Sequence, residues 1–215
     1  MTEKLKIDIV SDVVCPWCTI GYKRLEKAIM DLGMQDQIDI EWQPFELNPN
    51  MQTEGQNLQE HLREKYGMTV DQQKQSQQQM EQAGAELGFT FDYYDDMQMA
   101  NTFEAHVLLE YAKAFNKQTA LKMQLTKAFF SERKDVSKRA ILKEALLEVG
   151  LNADEALAQL DNDDAKKEVR TKQEYWKSLG VNSVPTIVFN RKSAVTGAQP
   201  VDTFKQILTE LLETK

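Results

Sequence analysis

Apolar residues change their spacing several times along this chain. KLKIDIV (4–10) is rich in Ile and Val, the composition of a strand, and the run stops at Ser11–Asp12. From Pro16 onward, Ile20, Leu25, Ala28, Ile29 and Leu32 fall near helical spacing until Gly33, a residue that ends helices. QIDIEWQPF (37–45) alternates Ile38, Ile40 and Trp42 with polar neighbours, which predicts a second strand. The chain therefore opens β–α–β.

Between residues 48 and 179 the spacing reads helical throughout. NLQEHLREKYG places Leu58, Leu62 and Tyr66 on one face. The glutamine-rich VDQQKQSQQQMEQAGAELG keeps Val70, Met80, Ala83 and Leu87 at helical offsets, so it reads as an exposed amphipathic helix and not as low-complexity chain. Phe103, Val107, Leu108, Tyr111 and Phe115 form a broad buried stripe, and Leu121, Leu125, Ala128 and Phe129 the next. Ser137 is placed to cap a helix carrying Ile141, Leu142, Ala145, Leu146 and Val149, which Gly150 ends. Asn152 with Glu155 has the form of a capping box, and a further helix runs from 163 to 179. Strand character returns in VPTIVFN (184–190) and SAVTGA (193–198), joined by a polar tip at 190–192, and Pro200 opens a final amphipathic helix. No Gly/Ser linker separates the parts. The pattern predicts one α/β unit, residues 1–47 and 180–215, with a helical block of residues 48–179 inserted into it.

Charge and cysteine usage narrow the function. The 215 residues carry a net charge of −8, whereas phosphate contacts need clustered Lys and Arg. Even the most basic stretch, SERKDVSKR (131–139), is diluted by Glu132 and Asp135, so nucleic acid is excluded as a partner. No apolar run reaches the length of a membrane span, which excludes the membrane as well. The N-terminus lacks the apolar core and cleavage site of a signal peptide, and this points to the cytoplasm. Thiols are kept reduced there. Cys15 and Cys18 are the only cysteines of the chain, and a structural disulfide closing so small a loop would contribute little. Redox chemistry, a metal or coincidence remains.

DVVCPWCTIGY sets both cysteines where the first strand meets the first helix. A thiol at a helix N-terminus faces unpaired N–H groups and the positive end of the macrodipole. Both favour thiolate, so Cys15 is expected to be an acidic, exposed nucleophile. Pro16 has no N–H to leave unpaired in that first turn. Cys18 lies about one turn on, on the same side and better shielded, placed to resolve a mixed disulfide formed by Cys15. A zinc site needs about four ligands, and His61 and His106, the only histidines, lack ligand-like spacing. A bare C-x-x-C is a weak pattern, but at the strand–helix junction of a β–α–β unit it signals redox chemistry. Asp12, three residues before Cys15, has two readings, as acceptor or relay of the thiol proton and as a turn or cap residue. His106 reads as a boundary histidine or as a pocket residue.

SDVVCPWCTIG, PFELNP (44–49), ANTFEAH (100–106), VPTIVF and GAQP (197–200), in that order, resemble the DsbA-like thioredoxin-fold oxidoreductases. In particular they resemble the cytosolic FrnE-type branch, related to 2-hydroxychromene-2-carboxylate isomerase and kappa-class glutathione transferase. The resemblance implies an α/β thioredoxin-like fold with a large all-helical insertion. It further implies a thiol–disulfide oxidoreductase or disulfide isomerase, in which Cys15 attacks and Cys18 resolves. Its partners are then protein or small-molecule thiols and disulfides, with no tightly bound cofactor and with glutathione as a candidate co-substrate. Pro185 gains the role of a cis-proline facing the cysteines, where the sequence alone allows an ordinary proline at a strand start. Val184 would then present its backbone to a bound peptide as an added strand. Trp17 has two readings, an exposed apolar contact for substrate and a ring folded against the insert. Asn101 and Phe103 match the family's NTF motif, which implies a substrate-binding role for Asn101, while core packing is the default for Phe103. The isomerase and transferase relatives typically carry serine at the place of Cys15. The two cysteines therefore favour an oxidoreductase over a glutathione-dependent isomerase or transferase, and a non-enzymatic redox sensor is the third reading. The periplasmic oxidant of this family carries histidine between its cysteines, and Trp17 in that place predicts a less oxidising couple.

Overall fold

The computed structural model describes residues 4–213; residues 1–3, 214 and 215, part of the expected α/β unit, lie outside the described residues. Strand β1 (Leu5–Ser11), helix α1 (Pro16–Asp31) and strand β2 (Ile38–Pro44) open the chain. A short strand β3 (Gln56–Asn57) leads into α2 (Leu58–Tyr66) and α3 (Val70–Glu86), and β4 (Gln98–Met99) follows an irregular stretch. Helices α4 (Phe103–Lys113), α5 (Gln118–Phe130), α6 (Arg139–Glu148), α7 (Ala153–Ala158) and α8 (Asp163–Ser178) come next. Strands β5 (Thr186–Phe189) and β6 (Ser193–Thr196) then lead to α9 (Val201–Glu213).

Four strands form a sheet in the order β2-β1-β5-β6, with β1 and β2 parallel and the other pairs antiparallel. Alternation along β1 sends Leu5, Ile7 and Ile9 to one face and Asp8 and Val10 to the other. The first face packs on Leu25 and Ile29 of α1 and on Phe204 and Leu208 of α9. On the second, Val10 and Val188 meet Phe45 and Trp176 of α8. With both faces covered, even the polar Asp8 and Ser11 of β1 are buried. The outer edge of β2 is closed by a side chain: Gln118 of α5 accepts from the Trp42 N–H at 2.9 Å and donates to the Trp42 carbonyl at 3.0 Å. A larger core of Leu108, Leu121, Leu125, Leu142 and Leu146 reaches Val13, Val14 and Ile20. The helices therefore pack directly behind the junction of β1 and α1. This is the thioredoxin-like α/β fold with helical insertion that the motifs imply.

Four expectations need correction. The block 48–179 is not helical throughout, because β3 and β4 pair as a two-stranded ribbon and residues 89–97 are irregular, with a turn at Asp95–Asp96. Phe89 and Phe91 there fill the core with rings spaced at two residues, which a helical reading misses. Phe115 is 48% exposed, since α4 ends at Lys113 and carries it past the buried stripe. Ser137 caps no helix: α6 starts at Arg139, and the Ser137 hydroxyl donates to Asp135 Oδ1 at 2.6 Å, closing a turn of its own. The hairpin strands are also shorter than expected, because paired residues begin only after Pro185 and end at Thr196.

Candidate active site

Cys15 is the N-cap of α1, and its sulfur accepts the Cys18 N–H at 3.3 Å in the place where an N-cap oxygen usually sits. Pro16 follows at the first helical position, where a missing N–H costs nothing. On its other side, Cys15 Sγ donates to the Val184 carbonyl at 3.9 Å, and the Val184–Pro185 peptide is cis. The sulfur thus lies between a helix N-terminus and the start of β5. Both thiols are free, and Cys18 is wholly buried. Cys15 is only 4% exposed, so the open thiol expected from the sequence is corrected to a buried one that lines a cavity.

That cavity has a volume of about 360 Å³. Cys15, Pro16, Trp17 and Val184 form its thioredoxin-like wall, and Met68, Met80, Met97, Met99, Phe129 and Phe130 form much of the other. Lysine and arginine are absent from its lining among the described residues. Trp17 is 39% exposed and stands at the cavity, consistent with its reading as an open apolar contact. His61 also lines it, with Nδ1 2.7 Å from Gln56 Oε1, and burial, followed by the charge of Lys65, lowers its pKa. Tyr93 is a further lining residue; its hydroxyl donates to Met80 Sδ at 3.4 Å, and burial pushes its pKa up.

Asn101 is not brought to the cavity. Its amide donates to the Met51 carbonyl at 2.8 Å and its Oδ1 accepts from the Phe103 N–H at 3.0 Å, so it holds a loop against the start of α4. Phe103 is half-buried under the Arg170 guanidinium, 3.8 Å from the ring centre.

Asp12 accepts three hydrogen bonds or close contacts in a buried setting: Val13 N–H and Leu47 N–H, each at 2.7 Å, and His106 Nε2 at 3.3 Å. Burial opposes its charge, yet His106 and the Leu47 amide outweigh that and hold the carboxyl below its ordinary value. His106 is 3% exposed, which corrects the boundary reading: α4 buries it against Asp12, outside the cavity. Burial pushes the Cys18 thiol well up, and its hydrogen bond with Cys15 and the charge there add to this.

Two participants escaped the sequence reading. His61 lies three residues from Leu58 on the buried side of α2. Lys122 is 2% exposed on α5, and it shares the apolar stripe of Leu121, Leu125 and Phe129, a spacing at which a lysine is a signal in itself.

Comparison with known proteins places the fold. Residues 6–209 match the DSBA-like thioredoxin domain. The chain belongs to that family. It is 30% identical to a probable DsbA oxidoreductase from Streptomyces coelicolor, whose crystal structure superposes with a TM-score of 0.91 over 98% of this chain and 91% of that one. Protein YwbO of Bacillus subtilis (strain 168) is 24% identical over 208 residues, covering 95% of this chain and 96% of the relative. The cytosolic disulfide reductase DsbM from Pseudomonas aeruginosa, solved with GSH, shares the fold with a TM-score of 0.69 at 19% identity, covering 97% and 99% of the two chains.

Proposed function

We propose that the protein is a thiol–disulfide oxidoreductase of the cytoplasm that reduces, forms or reshuffles disulfides through Cys15 and Cys18. The observation that carries this reading is the placement of Cys15: a sulfur at a helix N-terminus, 3.3 Å from one amide and 3.9 Å from the Val184 carbonyl, opening onto an apolar cavity. In the reducing direction the Cys15 thiolate attacks a disulfide R–S–S–R′, forming Cys15–S–S–R and expelling R′–S⁻, which takes up a proton. Cys18 then attacks Cys15 Sγ, expels R–S⁻ and leaves the Cys15–Cys18 disulfide, so two electrons have passed from the pair to the substrate. The reverse sequence oxidises a dithiol. The sulfurs carry the electrons, and no resident cofactor enters either step.

Trp17 and the cavity wall receive the apolar part of the substrate, and the backbone at Val184–Pro185 aligns a bound chain beside the sulfur. Residues 1–47 and 180–215 serve as the redox unit, and 48–179 as the insert that walls the substrate. Among the described residues, none that line the cavity is a lysine or arginine placed for the carboxylates of glutathione. Glutathione therefore acts as an external thiol that recycles the pair, and not as the cavity's occupant. Cys18→Ser tests the assignment: on exposure to an aromatic disulfide it should retain one covalent adduct by mass spectrometry, while Cys15→Ser should retain none. Turnover that survives the loss of Cys18 together with saturable glutathione binding would overturn it in favour of the isomerase or transferase chemistry.

A further inference from the structure

Lys122 is a buried group that the exchange steps above leave unused. It is 2% exposed, and its Nζ has no hydrogen-bond partner among the described residues. An ammonium is rarely left so, because a buried charge without a partner is costly. The one contact of direct geometry is with the Trp42 ring, 5.2 Å below Nζ. Burial lowers the pKa of Lys122, and the charges that oppose this all belong to the redox site: Cys18, Asp12 and Cys15, in that order. Asp12 is already engaged by Val13, Leu47 and His106, which leaves the sulfurs as the groups without an ion partner.

We infer that Lys122 is a positioning residue for the resolving cysteine: held unpaired behind the site by α5, it supplies the positive charge against which Cys18 becomes a thiolate. This rests on the exchange reading above and concerns its second step. Cys18 needs such help. Burial, the hydrogen bond with Cys15 and the charge of Cys15 all raise its pKa, and Lys122 is the side chain that opposes them. The titratable groups facing Cys18 are Cys15 at the cap of its own helix and Lys122 from α5, while Asp12 meets it through a backbone hydrogen bond that, after Lys122, also lowers its pKa. Behind them stand His106 of α4, through Asp12, and Tyr93, through Cys15. In the resolving step Cys18–S⁻ attacks Cys15 Sγ, the bond from Cys15 to the substrate sulfur breaks, and the departing thiolate carries the negative charge away from Lys122.

The neutral aromatic disulfide dithiodipyridine separates the two steps. The reduced protein releases one chromophoric thiopyridone when Cys15 attacks and a second when Cys18 resolves. In Lys122→Met the first release should slow less than the second, because Lys122 couples more strongly to Cys18 than to Cys15. The second should slow roughly tenfold at neutral pH, the change in thiolate population when one nearby opposite charge is lost, and its pH profile should move to higher pH. Lys122→Arg should restore much of the second phase. If Lys122→Met does not fold, as judged by circular dichroism, Lys122→Gln makes the same comparison. A second phase of unchanged rate and pH profile in a folded neutral variant would overturn the inference while leaving the exchange reading intact. A single release from the unsubstituted protein would overturn the exchange reading and the inference with it.

Discussion

Trp17 occupies the place between the two cysteines, 39% exposed, with no side-chain hydrogen bond to offer the sulfur beyond its indole N–H. Histidine there would add a donor, and in protonated form a charge, beside the Cys15 thiolate. Stabilising the thiolate stabilises the reduced pair and makes the couple more oxidising. Trp17→His should therefore raise the reduction potential, by about 30 mV for each ~1.4 kcal/mol gained. Equilibration of the Cys15–Cys18 pair in glutathione buffers measures it, and an unchanged potential would refute the account. The cysteines were legible because their chemistry is local: spacing, a strand end and a helix start all lie within eleven residues. Asp12 with His106 was not, since their contact spans 94 positions. Lys122 was hidden for another reason, as a lysine beside leucines reads as a solvated residue at the margin of a helix stripe.

At α3, Gly84 permits a close approach that the helical pattern does not announce. A Cβ added there would lie 2.5 Å from Phe91 Cδ2 and 2.6 Å from the Phe89 carbonyl oxygen. The carbonyl is backbone and cannot swing aside, and the Phe89 N–H also donates to the Gly84 carbonyl at 2.8 Å. Gly84→Ala should destabilise the fold by roughly 1–3 kcal/mol despite its better helix propensity, the range for overfilling a packed contact. A lower urea midpoint with unchanged slope would show it, and a raised midpoint would contradict the packing. The same stretch explains where the pattern misled. Helices with apolar stripes of several turns were readable, as was the hairpin with its polar tip, where Asn190 and Arg191 both adopt positive φ. The irregular chain between α3 and β4 was not, because Phe89 and Phe91 are fixed by contacts with Phe130 and Gly84 and not by their neighbours in sequence.

Across the molecule, one carboxylate ties the sheet to the helices. Glu41 of β2 accepts from Lys6 of β1 at 2.6 Å and from Lys113 of α4 at 2.5 Å. Burial opposes its charge, but the hydrogen bonds of Lys113 and Lys6 prevail and hold its pKa at about 2 against an ordinary 4.5. A carboxyl depressed in the folded state adds stability that is complete above its unfolded value and is lost as pH falls through its folded one. Stability should therefore fall between pH 4.5 and about 2. Glu41→Gln should remove that part of the acid slope and cost roughly 1–2 kcal/mol near neutrality, after allowing for the water that reaches both lysines. Denaturant titrations at stepped pH check both effects, and parallel pH curves for the two proteins would sink the assignment.

The cavity beside Cys15 draws its reactive atom from one stretch of chain and most of its methionine and aromatic wall from another, residues 58–130. Selectivity and reactivity are thereby encoded apart. Altering Met68, Met80 or Met97 would widen, narrow or polarise the chamber while leaving Cys15, Cys18 and the helix start that holds them untouched.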